Sequence, residues 1–205
     1  MTTRARLRER SRLRSRRVRA VLAGGLVLGI GAAATLAAWN DSEYTAATIT
    51  AGTFDIVGST DGSTFDDHPS TDPATLSFSA AVSAITPGDT VYALFSVKTA
   101  EESMAGTVQL VADNGSSLTG LAAALTYGVS TVSGTTCDST TFSAGTAVVA
   151  SGSALTVDGT GTQSLSANGG NQVNYCFAVT LPTGAASSLQ GTSTTPVWYV
   201  SATSS

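Results

Sequence analysis

Residues 172–181, QVNYCFAVTL, restrict the fold most: Val173, Tyr175, Phe177, Val179 and Leu181 alternate with Asn174, Cys176, Ala178 and Thr180. Successive side chains of a strand point to opposite faces, so this period of two describes one β-strand with a wholly apolar face. Cys176 falls off that face. Residues 91–97, VYALFSV, are nearly continuous in apolar side chains, which suits a central strand covered on both sides. Residues 197–202 put Trp198, Val200 and Ala202 on one face of a closing strand, and residues 52–57 alternate Phe54 and Ile56 with Thr53, Asp55 and Val57. Shorter β segments are predicted at 75–78, 107–112, 125–132, 146–150, 155–157 and 162–165, with one helical turn at 121–125. Turn signals separate them at Pro87-Gly88-Asp89, Asn114-Gly115 and Asp158-Gly159. Asn-Gly is a favoured hairpin pair, which accounts for Asn114 better than does the glycosylation sequon it forms with Gly115 and Ser116. Regularly spaced short strands predict an all-β chain: a single-domain, jelly-roll-like β-sandwich over residues 52–205. Abundant Ser, Thr, Gly and Ala would also suit low-complexity disorder, but the alternation argues against it.

The N-terminus imposes a different constraint. Nine arginines lie between Arg4 and Arg19, and the nineteen residues from Ala20 to Ala38 carry no charge. A basic segment followed by an apolar one is an export signal. A retained anchor is the alternative, since ~20 apolar residues span a bilayer. Four glycines and the small residues 32–38 favour cleavage, with Thr35 at −3 and Ala37 at −1, between Ala37 and Ala38. Residues 1–37 are therefore read as a cleavable signal peptide, and the membrane as a partner only before the cut. Ser15-Arg16-Arg17 is a weak twin-arginine signal, because Arg19 stands where an apolar residue is expected. No cysteine lies near the site to accept a lipid.

Cleavage transforms the charge. The mature chain keeps Lys98 as its single base against thirteen acids, the fourteen less Glu9, for a formal net charge of −12. Such a polyanion repels nucleic acid and stays soluble by self-repulsion. Cys137 and Cys176 are the only cysteines, and in an exported chain the pair reads as a disulfide closing a 39-residue separation. The polar stretch 59–72 holds Asp61, Asp66, Asp67 and Asp72, oxygen donors for a weak Ca²⁺ site but without the order of an EF-hand loop. No other cofactor is expected. His68 is the single histidine, so neither a His-paired zinc site nor a Ser-His catalytic pair has its usual parts, and no G-x-S-x-G motif is present. The chain is read as a non-enzyme.

Several short motifs carry a family resemblance. T-L-A-A-W-N-D at 35–41 followed by A-G-T-F-D-I at 51–56 resembles the processing region of the TasA/camelysin group, whose members are exported by a SipW-type signal peptidase. Ile85-Thr86-Pro87-Gly88-Asp89 resembles that group's L-x-P-G-D segment, and Leu189-Gln190-Gly191 its L-Q-G segment. The likeness covers both ends and part of the middle, leaving 115–165 to composition alone. It implies a secreted or cell-surface structural protein of a biofilm matrix that associates with itself into fibres. The metallopeptidase label of camelysin-like proteins finds no ligand set here. A monomeric binding module for a cation or envelope polymer is the alternative.

Residues 38–51 form an arm before the first strand, β-compatible but poorly amphipathic. Trp39, Tyr44 and Ile49 are its large side chains. Such an arm can complete the sheet of a neighbouring subunit, with backbone hydrogen bonds for affinity and side-chain pockets for register. No sorting motif or second apolar run occurs before Ser205, so attachment to an envelope would come from assembly or association.

Overall fold

The computed structural model describes residues 14–26, 41–79, 85–115 and 117–205. The chain divides into two compact units, Met1–Ile49 and Thr50–Ser205. In the first, residues 14–26 form a helix, α1, and residues 41–49 are neither helix nor strand. No helix among the described residues is long and apolar enough to cross a membrane.

The second unit is mainly β, built of antiparallel sheets. Its elements are β1 (Ile56–Ser59), β2 (Thr90–Thr99), β3 (Gly106–Ala112), α2 (Gly120–Ala124), β4 (Thr126–Val132), α3 (Ser139–Ala144), β5 (Thr146–Ala154), β6 (Gln163–Leu165), β7 (Gln172–Thr180) and β8 (Trp198–Ser204). Five strands pair in the order β1-β2-β7-β4-β5 and three in the order β6-β3-β8, giving a sandwich-like arrangement. Apolar alternation on both sheets explains the layering, because each apolar face is buried by the other. Row by row, Val91, Val179 and Tyr127 stand abreast across β2, β7 and β4, and so do Ala93, Phe177 and Val129. Val108 and Leu110 of β3 and Leu165 of β6 join Val91, Val179, Tyr127, Phe177 and Val129 in one buried cluster. Trp198 of β8 stacks on Tyr127 and Phe177 at ring-centroid distances of 5.5 and 5.2 Å. The strand read at 91–97 is central, lying between β1 and β7 in its sheet.

Four local expectations are corrected. Regular pairing in the 52–57 segment begins only at Ile56, because the Ser103 hydroxyl takes a partner strand's place: Asp55 N–H donates to Ser103 Oγ (2.8 Å) and Ser103 Oγ donates to the Asp55 carbonyl (2.9 Å). Residues 75–78 form no strand; Leu76 and Phe78 pack against the core without a ladder, and Ser79 bonds β2 at Tyr92 alone, its N–H donating to the Tyr92 carbonyl and its Oγ accepting from the Tyr92 N–H. Residues 155–157 do not pair with 162–165 across Asp158-Gly159. Instead Leu155 sits fully buried in a turn, and the following residues bridge the sheets: Gly159 N–H donates to the Leu110 carbonyl and Thr160 N–H to that of Val148. Asn114-Gly115 is no hairpin turn, since β3 and β4 lie in different sheets. Asn114 is a cross-link: its Nδ2 donates to the carbonyls of Leu155 (2.8 Å) and Val197 (2.9 Å), and its Oδ1 accepts from Val197 N–H (2.7 Å).

Candidate functional site

A sheet edge is a row of unpaired N–H and C=O groups, and proteins blunt such rows by shortness, bulges or cover. Three of the four edge strands here are blunted. β1 has four residues, and Gly58 exchanges both backbone bonds with Asp66. β5 has register shifts against β4 and a Gly152 at φ +85°, while its Val148 carbonyl is taken by Thr160. β6 has three residues. β8 differs, for its seven residues run in unbroken register from Trp198↔Ala112 to Ser204↔Gly106. Among the described residues no strand pairs with its other side.

The direction of that open edge follows from the ladder. Val197 accepts from Asp113 N–H and Ser205 donates to Ala105 across the same register, so odd-numbered residues of β8 face β3. In an antiparallel pair the alternate residues point their backbone groups away. Trp198, Val200, Ala202 and Ser204 therefore present N–H and C=O outward. Their side chains are on the inner face, and the first three are half-buried against the core. An added strand would find hydrogen bonds at the edge and an apolar layer behind it. Gly106 lets the other end of β3 lie close: a Cβ there would stand 2.5 Å from the Thr203 carbonyl and from the Phe54 ring.

In the N-terminal unit, Tyr44 and Ile49 are almost wholly exposed, at 94% and 92%. Trp39 and the cleavage pair Ala37 and Ala38 lie outside the described residues.

The aspartates of the 59–72 loop have separate tasks. Asp61 Oδ1 accepts from Ser63 N–H (2.7 Å), Thr64 N–H (2.8 Å) and the Ser59 hydroxyl (2.8 Å), tying a turn. These bonds, the Thr64 and Ser63 amides foremost, hold the carboxyl far below the usual carboxylate range. Asp66 accepts from the Asp67 amide and pairs with Gly58, while Asp67 and Asp72 are exposed. Among the described residues, no group of three His, Cys, Asp or Glu is placed to hold a metal ion. Phe65 of this loop lies under Lys98, whose Nζ is 4.3 Å from the ring centroid.

Cys137 and Cys176 are bridged, with Cα atoms 5.3 Å apart. As the alternation requires, Cys176 is on the outer face of the five-stranded sheet, abreast of Leu94 and Ser130, yet it is fully buried. The segment from Cys137 through α3 covers it. Asp138 caps α3 by accepting from the amides of Thr140 and Thr141, and the Thr141 amide first, then the Thr141 hydroxyl, hold its carboxyl below the usual range. Phe142 stacks on Tyr92 at 6.0 Å. Gly128 permits this closeness, since a Cβ there would come within 2.8 Å of Ser151 Cα and 3.1 Å of the Phe142 ring. Beside the bridge, between the end of β1 and the segment at Ser77 and Ser79, a groove of about 240 Å³ opens over Ala93 and Leu94, walled by those two serines and by Thr60, Asp61, Tyr92, Thr135 and Cys137. Disulfides form and persist in oxidising compartments, the extracellular space among them.

Sequence reasoning missed the open β8 edge and the Asn114 cross-link. The edge has no residue signature, because strand order decides it; Asn114 differed from a turn residue only in lacking a second strand to pair with β3. In comparisons with known proteins, no family model and no curated protein matches the chain.

Proposed function

We propose that residues 1–37 are an export signal cut between Ala37 and Ala38, and that the mature chain, a jelly-roll-like sandwich, is a structural subunit of an extracellular surface or biofilm matrix. Subunits join when residues 38–51 of one copy add as a strand to the β8 edge of the next. The single observation that supports this reading is the edge itself: seven residues in regular register with four outward-facing backbone units and a half-buried apolar row behind them. Fourteen extended residues reach roughly 45 Å at ~3.3 Å each, against about 23 Å for seven, so the arm is long enough. In an extended arm Trp39, Thr45, Ala47 and Ile49 share one face, which would turn inward, with Tyr44 on the other; Asp41 and Glu43 have the inward parity too, so the seven residues that match β8 are 45–51, which carry no charge. Before cleavage the start of the arm is tied to a membrane-inserted segment and cannot thread into another molecule. Processing is then the assembly switch, with the signal peptidase as the transient partner.

Purified chains starting at Ala38 and at Gly52, compared by light scattering and negative-stain microscopy over days, test this. Filaments are expected from the first and monomers from the second. Identical filaments from a folded chain starting at Gly52 would refute strand donation, and a mature chain that stays monomeric would favour the binding-module alternative.

A further inference from the structure

The outer face of the three-stranded sheet carries no charge. Thr107, Gln109 and Val111 of β3 stand beside Thr203, Ser201 and Tyr199 of β8, and the β8 row is exposed, Tyr199 by half. All thirteen side-chain carboxylates of the mature chain lie off the strands of this sheet; Asp113 follows β3, and Asp158 Oδ1 accepts from Ala112 N–H at the same end.

We infer that a second copy of the chain seats on this face, sheet against sheet, so that assembled subunits associate laterally through it. The inference rests on the assembly reading above and deepens it. Two bodies of formal charge −12 repel wherever carboxylates are apposed, and screening over about 8 Å at physiological salt removes that cost only for charges farther apart than this. Close contact therefore selects a surface without carboxylates. The arm extends the same surface. With Ile49 turned inward, Tyr44, Ala46, Thr48 and Thr50 face outward, a row as uncharged and hydroxyl-rich as Tyr199, Ser201 and Thr203 beside it. Strand addition thus widens the face by one strand and adds a second aromatic ring without adding charge to it, Asp41 and Glu43 having the opposite parity.

The test compares the mature chain with Ser201→Glu and Tyr199→Glu, which place a carboxylate on the face, and with Ser70→Glu, which adds the same charge in the exposed loop after β1. Cryo-electron microscopy counts paired against single filaments at low and high salt, and sedimentation velocity follows unassembled protein. Wild type and Ser70→Glu should pair, more so at high salt, while both face variants should show at least tenfold fewer pairs with single filaments intact. Equal pairing in all four, or no pairing of wild type at any salt, would overturn the inference. Should no filaments form, the assembly reading fails separately, and sedimentation decides this one: dimers lost only in the face variants support it, and monomers throughout overturn it.

Discussion

Asn114 shows how much one side chain can hold when it substitutes for backbone pairing. Its three bonds join the end of β3 to the turn at Leu155 and to the entry of β8. Replacing it by Ala strands the Val197 amide and the Leu155 carbonyl, while the Val197 carbonyl keeps its bond from Asp113 N–H, so Asn114→Ala should lose about 2 to 3 kcal/mol in urea unfolding. The same bonds occupy Nδ2, so the sequon nitrogen is engaged in the folded domain. Asp61 supports its turn through charge as well as geometry. Its folded pKa is lowered below the ordinary carboxylate value, so its contribution is present above about pH 4 and is lost as pH falls toward the folded pKa. Asp61→Asn keeps an acceptor oxygen but not the charge. The melting-temperature gap between wild type and this variant should be open at pH 7 and close steadily below pH 4; a gap that widens on acidification would contradict the assignment.

Elements differ in how far their residues announce them. β7 and β2 could be read because burial on one or both faces writes directly into their apolar pattern, and the inward row Trp198, Val200, Ala202 of β8 was equally plain. Residues 75–78 and 155–157 have the same local composition but bury their apolar side chains from irregular backbone. Leu76, Phe78 and Leu155 fill the core while ladder bonds are made elsewhere, a choice governed by distant partners. The disulfide was readable as a pair, and its place outside the core followed from the parity of Cys176. The cover that buries it did not, since α3 has no buried residue of its own to mark it. Closing 39 residues stabilises by roughly 4 kcal/mol in the chain-entropy model. Reductant should lower the unfolding free energy by about that amount, with Phe142 and the α3 amides the first to lose hydrogen-exchange protection. Free thiols titrating in unreduced, denatured protein would refute the bridge.

For the whole molecule, export and assembly are one proposal in two steps. Intact mass of the secreted chain should begin at Ala38; a product retaining the arginine-rich segment would make the apolar run an anchor and leave the arm tethered. In that proposal a mature chain of formal charge −12 has to overcome self-repulsion, and strand addition would do so through backbone bonds and burial at β8, an edge that bears no carboxylate. The order β6-β3-β8 creates that edge, a property of topology that no single segment carries. Residue-resolved hydrogen exchange of the mature chain before and after assembly tests strand addition most directly. The outward amides of Trp198, Val200, Ala202 and Ser204 should exchange rapidly in the monomer and become protected in the fibre, while their neighbours facing β3 stay protected in both. Fibres in which those four amides remain as fast as in the monomer would contradict assembly at β8.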